Sequence, residues 1–390
     1  MRKLKKAYKI EISPTQEQKS KIHQTIGVSR FIYNFYISHN KEVYEKEGRF
    51  VSGMDFSKWL NNEYIPNNED KAWRKSVSSK STKQAIMNGE KAFKRFFTGV
   101  SGFPRFKKKK NQDVKCYFPK NNKTDWTIER YRVKIPTLGF VRLKEYGYIP
   151  KNAIVKSGTV SQKAGRYYVS ILCEVEETKV KPKLEETGLG IDLGIKDFAI
   201  CSTGEVHENI NKTDKVRKLE RKLKREQRSL SQKYENLKKR GETSVTNKRA
   251  NIDKNILRIQ KLHARLSNIR LEYIKAVVNT LVKTKPTYIT IEDLNVKGMM
   301  KNKHLSKAVA GQCFYTFQTW LLAKCKEYCI ELRQVDRFYP SSKLCSCCGH
   351  KKVDLKLSDR VYTCECGNEM DRDLNACINL LQAKEYTILT

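Results

Sequence analysis

The chain lacks a long apolar run. Nowhere in its 390 residues does an apolar stretch reach the roughly 18 positions that a membrane-spanning helix needs, which excludes an integral helical membrane protein. The basic start, Met1-Arg2-Lys3-Leu4-Lys5-Lys6, has no apolar core behind it, so no signal peptide is expected and the expected location is the reducing cytoplasm. Acid is also scarce: 42 Asp and Glu stand against 79 Lys and Arg, leaving a net charge of +37. Soluble domains usually carry a net charge of roughly 2–8, and an excess this large would repel itself unless a polyanion were the regular partner. Nucleic acid is that polyanion, and no membrane partner is expected. A disulfide framework is missing too. Of the 12 cysteines, Cys116, Cys173, Cys201, Cys313, Cys325, Cys329 and Cys377 lie scattered among apolar neighbours as small core residues would, whereas Cys345, Cys347, Cys348, Cys364 and Cys366 crowd into one segment, a metal-site pattern. There is no internal repeat and no low-complexity tail.

What is present divides by period. Tyr8, Ile10 and Ile12 alternate with polar residues and read as a strand. Ser13-Pro14-Thr15-Gln16 reads as a helix start, with Ser13 capping, Pro14 first in the helix and Gln16 closing the capping box. Helices are expected to about residue 98, their aromatics (Phe31, Phe35, Tyr44, Trp73, Phe93, Phe96, Phe97) spaced as core residues. GVSGFPRFKKKK, residues 99–110, reads as a linker that either lies against phosphate or is simply solvated. From Val114 to Val175 the period is two, with turns such as Lys163-Ala164-Gly165, and the expectation is a small antiparallel barrel or curled sheet that the opening strand joins. A second linker is expected at Lys179 to Lys183. Val216, Leu219, Leu223, Leu230, Tyr234 and Leu237, then Ile259, Leu262, Leu266, Ile269, Tyr273 and Val277, mark an antiparallel helical hairpin with Gly241 near its turn. Residues 211–250 hold fifteen Lys and Arg against five Asp and Glu, so this arm either follows a duplex or presents a charged solvent face.

Two strand-like stretches, Gly188 to Gly194 and Tyr288 to Leu294, each carry an acid in an apolar run: Asp192 and Glu292. A buried carboxylate is costly and is usually paired, protonated or bound to a metal. A third acid lies in Asp371-Arg372-Asp373-Leu374-Asn375-Ala376-Cys377-Ile378-Asn379-Leu380, where a helix is expected to begin and its first amides favour negative charge. Three such acids could hold two Mg²⁺ ions roughly 3.5–4 Å apart for phosphodiester hydrolysis, or they could be structural salt bridges; the residues alone leave both readings open.

Cys345-Ser346-Cys347-Cys348-Gly349 and Cys364-Glu365-Cys366-Gly367 form two turns, each with Gly after its last Cys. Cys345, Cys348, Cys364 and Cys366 are the natural four ligands of a closed, structural Zn²⁺ site. Because the second turn is one residue shorter than C-x-x-C, Cys347 or His350 stands as a substitute.

The motifs Gly190-Ile191-Asp192-Leu193-Gly194-Ile195-Lys196, Ile291 to Met299, Asp336-Arg337-Phe338-Tyr339-Pro340-Ser341-Ser342-Lys343 and the terminal DRDLNACINL resemble, in order and spacing, those of the TnpB proteins, transposon-encoded relatives of type V CRISPR effectors. GFPRFKKKK extends the resemblance into the amino-terminal half. What the resemblance implies is a multidomain α/β fold: an RNase H-like RuvC nuclease domain (183–340 and 371–390) carrying the basic hairpin (211–283), with an inserted target-nucleic-acid-binding zinc ribbon (341–370). It further implies an amino-terminal β-barrel wedge domain (1–14 and 112–182) interrupted by a helical recognition domain (15–111). The family's catalytic Asp, Glu and Asp fall on Asp192, Glu292 and Asp373, expected to hold two catalytic Mg²⁺ ions. Asp371 is the rival for third place, and the family register, in which the acid precedes Leu374-Asn375-Ala376, favours Asp373; Asp371 and Asp293 are then supporting or structural. The implied function is RNA-guided cleavage of both strands of DNA beside a short target-adjacent motif, in one RuvC site, with a transposon-end-derived guide RNA and double-stranded target DNA as partners. A catalytically silent RNA-guided repressor is the alternative, disfavoured because all three acid positions are filled. A transposase would want a tyrosine-nucleophile motif with paired histidines, which is not found, and a guide-independent resolvase would not need the amino-terminal half or the ribbon.

Overall fold

The computed structural model describes residues 3–390 except 69–72, 74–75, 109–113, 121, 123–124, 152, 177–184, 240–245 and 357–358. The second linker, the Gly241 turn and the last two lysines of the 99–110 run lie outside the described residues. The chain forms two compact units, Met1–Lys179 and Val180–Thr390.

The first unit opens with β1 (Lys3–Ser13), followed by helices α1 (Gln16–Glu47), α2 (Gly53–Trp59) and α3 (Ser79–Phe97), then strands β2 (Val114–Pro119), β3 (Thr127–Ile128), β4 (Arg132–Ile135), β5 (Gly139–Leu143), β6 (Ile154–Lys163) and β7 (Arg166–Glu176). The strands form one antiparallel sheet of order β2-β6-β7-β1-β5-β4-β3. Its middle strand is therefore β1, more than 100 residues from the others in sequence. Strands from both halves of the sheet share one apolar core, in which Phe118 of β2 and Val133 of β4, both at 0% exposure, join Ile10, Val160 and Ile171. The two-residue turn Ala164-Gly165 has φ of 52° and 78°, the left-handed pair that matches strand twist in a tight hairpin.

The helix start differs from the expectation. Ser13 is still in the sheet, paired with Arg142, so the cap moves to Thr15 and the capping box closes on Gln18 rather than Gln16. Gln18 also donates to the carbonyls of Leu138 and Phe140, tying the helix to the β4–β5 turn. The helices enclose a second core around Tyr36, Phe56 and Phe93. The aromatic expectation holds for Phe93 and, half-buried, for Phe31 and Phe35, but Tyr44, Trp73, Phe96 and Phe97 are exposed. Phe96 and Phe97 sit at the final turn of α3, where the packing partners run out and the rings meet edge-to-face with Phe103 and Phe50 instead.

The second unit comprises β8 (Glu185–Leu193), β9 (Asp197–Cys201), β10 (Val206–Glu208), α4 (Asp214–Lys239), α5 (Thr246–Lys283), β11 (Pro286–Glu292), α6 (Val296–Met299), α7 (Ser306–Gln312), α8 (Phe314–Tyr328), β12 (Glu331–Val335), β13 (Val361–Thr363), β14 (Glu369–Asp371), α9 (Arg372–Gln382) and β15 (Thr387–Ile388). The main sheet has order β10-β9-β8-β11-β12-β15, parallel between β8, β11 and β12 and antiparallel elsewhere. Alternation along its strands sorts the faces. Leu189, Ile191, Ile289 and Ile291 enter a core with Val278 and Leu281 of α5 and Phe317 and Leu321 of α8. Gly188, Gly190 and Asp192 point the other way, where the backbone of α9 reaches the sheet over Gly190 and the Tyr288 ring covers Gly188.

The α4–α5 arm packs through Val216, Leu219, Leu223, Leu262 and Leu266. Farther out its seam is polar: fully buried Asn255 accepts from Lys233 Nζ at 3.0 Å and donates to Glu226 Oε2 at 2.9 Å. Five of the scattered cysteines are buried, but Cys313 is only half-buried and Cys329 exposed, because both take left-handed backbone positions (φ 56° and 59°) at helix ends on the surface. Among the described residues no helix is long and apolar enough to cross a membrane.

Candidate nuclease site and zinc cluster

Asp192 and Glu292 stand at the carboxyl ends of adjacent parallel strands. Ile191 is paired with Ile291, which puts the two acids side by side in the next row, on the face turned toward α9. The mouth of a sheet at the carboxyl ends of parallel strands is where α/β folds bind ligands. Asp373 approaches across the sheet from the first turn of α9.

The electrostatics report this convergence. Burial, then the charges of Glu292 and Asp373, push the Asp192 carboxyl up to about 7, with the Leu193 amide and Arg372 opposing the shift. Burial also raises Glu292, offset by a hydrogen bond from Ser341 Oγ. Asp373 is paired with Arg372 at 3.1 Å and faces Arg360 at 3.9 Å. Asp371 is employed differently: as the N-cap of α9 it accepts from the amides of Asp373 (2.9 Å) and Leu374 (3.1 Å), and it is exposed. Asp293 accepts from Arg337 at 2.6 Å and so orients that arginine rather than joining the cluster.

The four expected cysteines also come together. Cys345, Cys348, Cys364 and Cys366 place their sulfurs within 4.8 Å of one another, with 3.6 Å between Cys345 and Cys366 and between Cys348 and Cys364. A tetrahedral Zn²⁺ with Zn–S bonds near 2.3 Å sets sulfurs about 3.8 Å apart, so the cluster fits that ion. Against burial, which alone would raise it, the amides of Cys348 and Cys347 and the Asn368 side chain draw the Cys345 thiol down to about 6, toward the thiolate a metal needs. Cys347 and His350 stand outside the four-sulfur set. Among the described residues only these four thiols close to such mutual distances. The carboxylates face one another without doing so, as like charges should, and a site for two ions separated by roughly 3.5–4 Å does not require it.

Several residues that the motifs left without a role lie beside Glu292 or on α9 behind Asp373. A cleft of about 300 Å³ beside Glu292 is lined by Asn295, Lys297, Tyr315, Gln318 and Arg337, with Tyr315 75% exposed. Asn375 and Asn379, four apart on α9 among apolar neighbours, are almost wholly buried. Two amides on the buried stripe of an amphipathic helix are the signal that could have marked them, since buried polar groups need partners.

Three family models match parts of the chain: "Helix-turn-helix domain" over residues 1–49, "Probable transposase" over 170–303, and "Cas12f1-like, TNB domain" over 314–380. A Streptomyces pristinaespiralis protein named "Putative RNA-guided DNA endonuclease" is 31% identical over 98% of this chain and 90% of its own length. The Escherichia coli K12 protein named "Putative RNA-guided DNA endonuclease InsQ" is 30% identical over 97% and 92%. Among solved structures, the protein of a cryo-EM Cas12f1–sgRNA–target DNA complex superposes with a TM-score of 0.58 at 14% identity, covering 99% of this chain and 100% of that one, which marks a shared mixed α/β fold. With full-length relatives at this identity and a transposase-type family model over its centre, the chain belongs to the TnpB family of transposon-encoded proteins.

Proposed function

We propose that this protein is an RNA-guided DNA endonuclease that cuts double-stranded DNA beside a short target-adjacent motif, in a single RuvC-type site formed by Asp192, Glu292 and Asp373. The observation that carries this reading is the convergence of acids from β8, β11 and α9, where burial and then the charges of Glu292 and Asp373 raise Asp192, a setting that calls for a cation. Oxygen donors of this kind suit Mg²⁺. The strand order 3-2-1-4-5, with the second strand antiparallel, is that of an RNase H-like core and supports the same assignment.

When bound, a pair of Mg²⁺ ions would supply an activated water and charge stabilisation for in-line displacement at a phosphodiester. The chain's own groups do the rest. Asp192, Glu292 and Asp373 provide the oxygen ligands, while Ser341 holds the Glu292 carboxylate and Arg372 holds that of Asp373. Lys297 and Arg337 offer cations to the backbone of a strand in the cleft, and Tyr315 offers a ring to a base. Cys345, Cys348, Cys364 and Cys366 hold the structural Zn²⁺.

Guide pairing supplies sequence specificity, and the protein reads duplex shape, backbone and the adjacent motif. The names of the two full-length relatives and the complex in which Cas12f1 was solved support RNA and DNA as partners. In domain terms, residues 1–14 with 112–182 and residues 15–111 serve as wedge and recognition domains, residues 183–340 with 371–390 as the nuclease, and 341–370 as the zinc ribbon.

The test is to purify the protein from cells carrying its native locus, sequence the RNA that comes with it, and challenge the complex with plasmids of randomised flanks. A discrete RNA and cleavage confined to one flank sequence are expected; no discrete RNA would sink the guided reading. The third acid has its own test. Asp373→Ala should abolish plasmid cleavage, whereas Asp371→Ala should keep it and lose about 1 kcal/mol of stability with its helix cap. The reverse pattern would move the site to Asp371.

A further inference from the structure

The cysteine cluster and the acid cluster are joined by buried hydrogen bonds. The turn that carries Cys345 is bonded on both sides to α9: Asn375 accepts from the Ser346 amide at 3.0 Å and donates to the Leu344 carbonyl at 2.6 Å, and Asn379 donates to the same carbonyl at 2.8 Å. Asn379 also donates to the carbonyl of Ser341 at 2.7 Å, and the Ser341 hydroxyl in turn donates to Glu292. Asn375, Asn379 and Ser341 are 0%, 4% and 5% exposed, so water offers them no alternative partners. One path thus runs from a cysteine turn to the helix that presents Asp373, and on to the serine that holds Glu292.

We propose that the cysteine turn is the abutment of the acid cluster, so that zinc occupancy sets its affinity for divalent metal, with Asn375, Asn379 and Ser341 as positioning residues. The inference rests on the reading of Asp192, Glu292 and Asp373 as metal ligands. The physical reason is the thinness of what else holds the ribbon. Among the described residues its strands pair over only three positions, β13 with β14, and a single bridge joins Leu344 to Lys351, well short of an independently stable hairpin. Its core among the described residues is little more than Tyr362, whose hydroxyl lies 3.3 Å from the carbonyls of both Lys343 and His350 and shares its one proton between them. Without an ion to close four thiols, the turn at Leu344 to Ser346 loses its shape and the α9 amides lose their partners. The partners that orient metal ligands commonly govern affinity by about 10- to 100-fold.

The test uses the full chain and Mn²⁺, an oxygen-preferring probe that the thiols do not favour. Mn²⁺ affinity and hydrogen exchange are measured on zinc-loaded and chelator-stripped protein, and on zinc-loaded Ser341→Ala and Asn375→Ala. Stripping should weaken Mn²⁺ binding about 10-fold or more and speed exchange in 336–350 and 371–382 while β1, β6 and β7 stay protected. Ser341→Ala should weaken Mn²⁺ binding while retaining one zinc per chain. Unchanged Mn²⁺ affinity in stripped protein and in Ser341→Ala would overturn the proposal, as would simultaneous loss of protection along the whole chain, which would make zinc a general stabiliser. Asp192→Asn serves as the control: Mn²⁺ binding at wild-type strength there would withdraw the metal assignment itself, separately from the coupling.

Discussion

Asp192→Asn is expected to abolish cleavage while leaving guide-dependent target binding largely intact, and to stabilise the metal-free protein at neutral pH. The first effect follows from the proposed role of Asp192, as an anionic ligand rather than a DNA contact. The second follows from the raised carboxyl, at about 7 in the folded chain against about 3.9 when unfolded. Between these values the folded state holds a proton that the unfolded state has released, so folding stability falls as pH rises from about 4 to about 7 and stays low above that. Below about 4 both states are protonated and the penalty vanishes. Asparagine never ionises, so the variant should melt higher than wild type at pH 7.5, by on the order of a few kcal/mol, and the difference should close by about pH 4. Added Mg²⁺ should narrow the gap from the wild-type side. Thermal melts of both proteins across this pH range, without metal and with it, decide the matter. Parallel melting curves, or equal loss of cleavage and binding, would make Asp192 a structural residue.

Gly190→Ala is expected to be the most damaging single-methyl change in the second unit. A Cβ there would meet the Cys377 carbonyl oxygen at 2.0 Å and the Leu381 amide nitrogen at 2.7 Å, both backbone atoms of α9. Backbone cannot rotate away, so α9 must lift off the sheet, taking Asp373 with it. Overpacking of this kind costs about 1–3 kcal/mol and sometimes more, and displacing Asp373, a metal ligand in the proposed mechanism, by an ångström should cost at least about 100-fold in rate. Gly188→Ala is the comparison. Its Cβ would meet the Tyr288 ring at 2.2 Å, a side chain that can swing aside at the expense of its stacking with Arg333. The alanine at 188 should therefore keep measurable cleavage and the one at 190 should not. Equal activities would show that α9 can shift without loss of the site.

Much of the site was legible because it is written in local chemistry. An acid in the apolar run around Asp192 and another around Glu292 are conspicuous wherever they lie, and cysteines crowded into two turns point to a tetrahedral site, although the choice of Cys345, Cys348, Cys364 and Cys366 over Cys347 or His350 rests on the folded cluster. Other features were illegible for an equally physical reason: they depend on what another part of the chain does. Ser13 looked like a cap until its pairing with Arg142 kept it in the sheet and passed the role to Thr15. Phe96 and Phe97 have the same helical spacing as buried Phe93, but spacing does not say where the helix runs out of neighbours. Cys329 has apolar neighbours in sequence and solvent in space.

By itself, then, the sequence determined the polyanionic class of partner, the alternation of strand and helix, the residue types of the candidate metal sites and, through the order of its motifs, the family. Charge, period and ligand spacing are properties of a chain segment and survive without a fold. Only the tertiary structure decided which acid faces which. It set Asp192 beside Glu292 through the register of two parallel strands, turned Asp371 onto its own helix and Asp373 toward Asp192, and joined the cysteine turn to Glu292 through Asn375, Asn379 and Ser341. Those relations are distances between segments far apart in sequence, and packing alone fixes them.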